Sequence, residues 1–98
     1  MRFIQLIEFT TSRIDEINTA LDEWLAQTQG KRGATRGTQT QDRDRANTYV
    51  QIVEFASHEH AMANSDLPET GEFAARRAKL CDQPPTFRIL DVTREDQM

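Results

Sequence analysis

Ile4-Gln5-Leu6-Ile7-Glu8-Phe9 is echoed almost letter for letter by Val50-Gln51-Ile52-Val53-Glu54-Phe55, 46 residues downstream. Each run is rich in β-branched and aliphatic residues. Each is followed by a hydroxyl cluster, Thr10-Thr11-Ser12 or Ser57, and then by a segment of helical spacing. Each copy therefore predicts a strand feeding a helix. Two such units, each completed by one further strand, make a βαββαβ domain of the α+β class. Right-handed crossovers then put both helices on one face of a four-stranded antiparallel sheet with strand order 4-1-3-2. The reading sets strands one and three as parallel neighbours in the centre.

Working outward, Ser12 is the expected N-cap of a helix starting near Arg13, with Asp15 and Glu16 in its first turn, where the dipole favours negative charge. Ile14, Ile17, Leu21, Trp24, Leu25 and Thr28 form one stripe for burial, and Gly30 ends the helix. Trp24 is read as core. Ala34 to Gln41, rich in Thr and Gln, suits an exposed edge strand, and Gln41 to Asn47 a hairpin loop leading into the third strand, Thr48 to Phe55. A second helical region runs from Ser57 to Ala63, is broken at Pro68, and resumes from Glu69 to Leu80. The fourth strand is Thr86 to Val92, and residues 93–98 read as a frayed tail.

Alternation sorts the central strands into two sets. Ile4, Leu6, Val50 and Ile52, ending in Glu8 and Glu54, suit the helix-packed face. Phe3, Gln5, Ile7, Phe9, Tyr49, Gln51, Val53 and Phe55 are expected on the opposite face. A face of rings and amides needs a cover, and a second copy of the chain supplies one, so the sequence predicts a homodimer enclosing a pocket lined by Phe, Tyr and Gln. Arg88, between Phe87 and Ile89, is expected to point into the same space as Gln5 and Gln51 and to be the leading residue for ligand recognition.

Other candidates carry less chemistry. Glu8 and Glu54 at equivalent positions of neighbouring strands could approach and raise one pKa, although carboxylates at helix starts are favoured by the dipole without any such role. His58 and His60, an i, i+2 pair, point to different sides of a helix and read as solvated first-turn residues, not metal ligands. The single cysteine, Cys81, excludes an internal disulfide and reads as packing. Gly30 to Gly37 is locally basic but lacks the spacing of a phosphate loop. With 98 residues, 12 Lys and Arg against 16 Asp and Glu, and a net charge of -4, the chain is one domain, 1–98, with no nucleic-acid or membrane partner expected. The interrupted apolar run at Met1 to Phe9 is too short for a signal peptide, and a cytoplasmic location is the expectation.

This pattern resembles the dimeric α+β barrel superfamily with a ferredoxin-like protomer, and within it the small antibiotic-biosynthesis monooxygenase-like proteins. The sharpest likeness is Tyr49-Val50-Gln51-Ile52-Val53-Glu54-Phe55-Ala56-Ser57 followed by Ala61-Met62-Ala63-Asn64-Ser65. The resemblance implies a homodimer with a hydrophobic pocket in each protomer and, in some members, oxidation of an electron-rich aromatic substrate by O2 with no metal or flavin cofactor. On this likeness the family's pocket-facing amide of strand three falls on Gln51, its strand-end tryptophan on Phe55 and its helix-two histidine on Asn64. A haem-degrading role is disfavoured, because that tryptophan and histidine are replaced. Gln51 and Arg88 are the expected catalytic residues, stabilising a substrate oxyanion, with Gln5, Tyr49, Phe55 and Asn64 binding the substrate. A non-catalytic dimer, whose aromatic packing fills the sheet face, is the alternative.

Overall fold

The computed structural model describes residues 2–98. Its elements are β1 (Phe3–Thr10), α1 (Ile14–Gln27), β2 (Ala34–Gln41), β3 (Thr48–Phe55), α2 (His58–Ser65), α3 (Pro68–Leu80) and β4 (Thr86–Asp91), and the sheet order is β2-β3-β1-β4. This is the expected ferredoxin-like α+β arrangement, and every strand pair in it is antiparallel.

The pairing corrects one expectation. β1 and β3 are antiparallel, because the crossover through α1 makes β2 parallel to β1 and the β2–β3 hairpin then reverses the chain. Glu8 therefore stands opposite Val50 and Glu54 opposite Ile4. The two carboxylates lie about four residues apart along the sheet, roughly 13 Å, and have separate partners. Glu8 meets Arg45 at 3.2 Å, while Glu54 meets Arg2 at 3.1 Å and Arg36 at 3.8 Å. No acid–base pair forms.

A second correction concerns the two faces. The ring-and-amide set lies beneath the helices, and the aliphatic set is the open face. Ile7, Phe9 and Tyr49 pack with Ile17 of α1, joined by Ile14, Leu80 and Cys81. Phe3 and Phe55 pack with Ala61 of α2. Aromatic side chains carry the largest apolar area per residue, and a domain of this size has a single core in which to bury it. Phe55, at 2% exposure, is among the most deeply buried side chains. Ile4, Leu6, Val50 and Ile52 remain half-buried on the other side.

The helix boundaries follow local chemistry. Arg13, not Ser12, occupies the N-cap of α1, and the buried Thr11 hydroxyl accepts the Arg13 N–H at 2.9 Å while donating to the Leu80 carbonyl at 2.6 Å. Thr11 thus ties the start of α1 to the end of α3. Ser57 caps α2 as its side chain accepts from the His60 N–H. Pro68 opens α3 at its first turn, where the missing donor costs nothing. In the β2–β3 hairpin the Asp42 carboxylate accepts the Asp44 and Arg45 N–H groups and pairs with the Arg45 side chain. These bonds hold the Asp42 carboxyl below the ordinary carboxylate range, the Asp44 N–H contributing most.

Candidate functional site

The floor of the site is the ring-and-amide face itself. Along its middle run Gln5 and Ile7 of β1, Gln51 and Val53 of β3, and Gly37 and Gln39 of β2, which share one face because register and alternation align them. Leu21 and Trp24 of α1, Asn64 of α2, and Thr70, Phe73 and Arg77 of α3 close over this floor. Between floor and roof lies a cavity of about 390 Å3. That volume is within the range of sites that enclose a small organic molecule.

Each polar group of the site has a defined setting. The Gln39 carboxamide donates to the Asn18 side-chain oxygen at 2.9 Å, which anchors it to α1. Gln51 lies beside Gly37, where a Cβ would come within 3.2 Å of its Nε2, so the bare glycine gives the Gln51 amide its room. Asn64, 6% exposed, accepts the Gly33 N–H at 3.1 Å through Oδ1, which fixes the start of β2 against α2. Trp24 is half-buried, and its Nε1 donates to the Thr70 hydroxyl at 2.9 Å across the α1–α3 interface. It lines the cavity, so its expected place in the closed core is corrected. The Arg32 guanidinium stacks over the Trp24 ring at 5.7 Å and donates to the Leu25 carbonyl, closing the C-terminal end of α1.

Arg77 is the unusual residue. It is 5% exposed, its Nε is buried without a hydrogen-bond partner, and among the described residues it forms no ion pair. Three aromatic rings surround its guanidinium instead, Phe73 at 5.0 Å, Phe87 at 5.7 Å and Phe9 at 6.0 Å. Ring faces are electron-rich and partly compensate a buried cation, but they supply no hydrogen-bond acceptor in the plane of the guanidinium. Burial pushes its pKa down, opposed by the nearby Cys81, yet an arginine stays charged at any physiological pH. Cys81 in turn has its thiol pushed up by burial.

The sequence-predicted residues separate under this geometry. Gln5, Gln51 and Asn64 all line the cavity. Tyr49 and Phe55 do not. Tyr49 stacks on Phe9 with centroids 5.7 Å apart, and Phe55 packs against Phe3, so both support the floor from within the core. Arg88 lies on the open face, in a shallow depression with Leu6, Glu8, Val50 and Thr86, because it is in register with Leu6 while Gln5 is in register with Ile89. The expectation that it shares a space with Gln5 and Gln51 is therefore corrected. The guanidinium that does line their cavity is that of Arg77. Its only sequence signal is an arginine four residues after Phe73 on the inward stripe of an amphipathic helix, a place where long charged residues are uncommon. His58 is exposed with its ring edge on Phe3, and His60 donates its backbone N–H to the Ser57 hydroxyl at the cap of α2, so both stay outside the site.

No protein-family model and no curated protein sequence matches the chain. Solved structures do. SnoaB, a cofactor-independent oxygenase from Streptomyces nogalater, superposes with a TM-score of 0.79 at 18% identity, over 96% of this chain and 95% of its own. A candidate antibiotic biosynthesis monooxygenase from Caulobacter crescentus gives 0.80 at 11% identity, over 95% and 91%. Rv0793 from Mycobacterium tuberculosis gives 0.79 at 14% identity, over 99% and 100%. At these identities the likeness is one of architecture, and it spans nearly the whole of each chain. The chain thus has the ferredoxin-like α+β fold of the antibiotic-biosynthesis-monooxygenase-like proteins.

Proposed function

We propose that this chain binds a small aromatic molecule in the cavity beneath its helices and oxidises it with O2, without metal or flavin, as a homodimer joined through its open sheet face. The single observation that carries this reading is the cavity, a partly open hollow walled by rings and aliphatic chains, with side-chain amides on one side and, on the other, Arg77, whose buried Nε has no hydrogen-bond partner. The oxygenases of like fold support the reaction class.

In that reaction the substrate supplies all the electrons. Loss of a proton to water, from the hydroxyl of a phenol or from the activated CH2 of its keto form, gives one and the same anion, whose charge is shared between oxygen and ring carbon. Its carbon attacks O2 to form a C–O–O⁻ bond, a proton returns to the outer oxygen, and loss of water leaves a C=O group, so that CH2 and O2 become C=O and H2O. The protein's part is to hold the oxyanion form with dipoles already in place. Gln51, Gln5 and the Asn64 amide would do this from the floor and wall, with Arg77 in the role the sequence suggested for Arg88.

The dimer reading rests on the open face and on β4. Ile4, Leu6, Val50, Ile52 and Leu90 form an aliphatic centre rimmed by Arg36, Glu54, Glu8 and Arg88, a pattern in which opposite charges can pair across a two-fold axis. β4 is a sheet edge with Phe87 50%, Ile89 56% and Leu90 41% exposed. The other edge, β2, is polar along its length and already guarded.

Native mass spectrometry of the purified protein, followed by O2-uptake measurements with phenols and naphthols that it retains, tests the proposal. A dimer that holds an aromatic molecule and incorporates ¹⁸O from ¹⁸O2 into the product supports it. A monomer that retains none of them refutes it, and binding without O2 uptake leaves the non-catalytic alternative.

A further inference from the structure

The ionisable groups around the cavity are all of one kind. Arg32 and Arg77 line it, Arg36 at its border is in register with Glu54 and paired with it, and among the lining residues there is no Asp, Glu, His, Lys, Tyr or Cys. The other side chains that the enclosing elements place in its wall carry no titratable group. β1 and β3 contribute glutamines and hydrocarbon, α1 contributes Leu21 and Trp24, α2 contributes Asn64 and Ser65, and β4 contributes Phe87. The titratable groups near Arg77 are Cys81, one turn on along α3, and Tyr49; both belong to the core cluster around Phe9 rather than to the cavity wall. The neighbouring carboxylates are engaged elsewhere: Glu69 with Lys31, Glu23 with Arg76, and Glu54 with Arg2.

We propose that the cavity admits its ligand as a preformed anion, an acidic phenol or enol that has already given its proton to water, and that Arg77 is the residue that selects the charged form. This rests on the small-molecule reading of the cavity and narrows it to a ligand class. The Arg77 Nε–H, buried without an acceptor on a cation that forms no ion pair among the described residues, is an unmet demand for a hydrogen-bonded negative charge, and an aromatic oxyanion satisfies it while its ring packs among Phe73, Phe87 and Phe9. The neutral acid leaves that demand unmet, and no group in the cavity can take its proton. The pH dependence of binding is then set by the ligand's acidity and not by any residue of the protein.

Binding of 4-nitrophenol, of the weaker acid 4-cyanophenol, and of 4-nitroanisole, the ether that cannot ionise, followed by absorbance or calorimetry between about pH 5 and 9, reads this directly. Phenolate is expected to bind at least about tenfold more tightly than the ether, so the bound phenol titrates about one pH unit or more lower than the free phenol. The midpoint of binding against pH should move with the acidity of the phenol. Arg77→Met should abolish the phenolate preference and retain ether binding, while Arg77→Lys keeps part of the preference. A midpoint that stays fixed as the phenol changes, or equal affinity for phenolate and ether in the unaltered protein, overturns the proposal and leaves the cavity reading standing. Failure of all three probes to bind overturns both.

Discussion

Gly33 is the position where a single added methyl group should do most harm. A Cβ built there would lie 2.3 Å from the His60 carbonyl oxygen and 3.3 Å from the His60 Cβ, whereas ordinary contacts begin at 3.4 Å. Backbone, not a flexible side-chain end, occupies the space, so β2 and α2 must separate by about 1 Å. That movement also draws the Gly33 N–H away from Asn64 Oδ1, now 3.1 Å distant, and leaves a buried carboxamide oxygen short of its donor. Overpacking of this kind costs about 1–3 kcal/mol, and an unsatisfied buried acceptor about 1–3 kcal/mol more. For Gly33→Ala the sum, roughly 2–6 kcal/mol, corresponds to a fall in Tm on the order of 10–50 °C for a domain of this length. Gly71→Ala is the matched control, since nothing lies within 4 Å of its added Cβ and its place inside α3 favours alanine by about 0.5–1 kcal/mol. Thermal unfolding followed by circular dichroism should therefore move in opposite directions for the two variants. A Gly33→Ala protein that melts within about 2 °C of the unaltered chain would refute the reasoning.

Other expectations are open to equally direct measurement. Leu6→Asp places a charge in the middle of the aliphatic open face and should convert the proposed dimer to monomer by native mass spectrometry while leaving the monomer folded; an unchanged dimer would place the interface elsewhere. Asp42 has a folded pKa below its unfolded value, so its contribution to stability is complete above the unfolded pKa and is lost as pH falls through the folded one. Asp42→Asn should accordingly flatten the loss of urea resistance expected below about pH 4, and an unaltered acid limb counts against the hairpin assignment. Cys81 has the opposite sign, its raised thiol pKa contributing stability below the unfolded value that is lost as pH rises through the folded one. Iodoacetamide at mildly alkaline pH should modify it more slowly in the native protein than in urea, and equal rates would contradict its placement against the core.

Much of the architecture was legible because it depends on local pattern. The repeated strand motif, the Pro68 break and the polarity of β2 each report a choice the chain makes over a few residues. Which face of the sheet meets the helices was not legible, since alternation gives two sets and no local sign of which is inward. Weighing the rings by area would have reversed the assignment, for Phe3, Phe9, Tyr49 and Phe55 outweigh Ile4, Leu6, Val50 and Ile52 in what they gain from burial. The direction of β3 relative to β1 is a property of the whole topology, and the matching letters of the two strands carry no sign of it, so Glu8 and Glu54 look equivalent in sequence while lying at opposite ends of the pair. Within the site, Gln5, Gln51 and Asn64 were found because a polar amide at an inward position stands out against apolar neighbours. Arg77 was passed over because arginine on a helix ordinarily reads as solvent-facing, and its three ring neighbours come from β1, β4 and its own helix, distant from one another in sequence.

The alternation along β3 has a consequence for how this chain tolerates insertion and deletion. Gln51 and Val53 belong to the cavity side and Val50 and Ile52 to the opposite side, and nothing but residue parity separates the two assignments. Loss of one residue between Thr48 and Val50 would exchange them wholesale, setting aliphatic chains over the hollow and carboxamides on the outer wall. An added residue at the Arg43-Asp44 tip, outside the paired register, leaves parity intact. Length variation should therefore be confined to that tip, and the strand beyond it should accept substitutions but not slips.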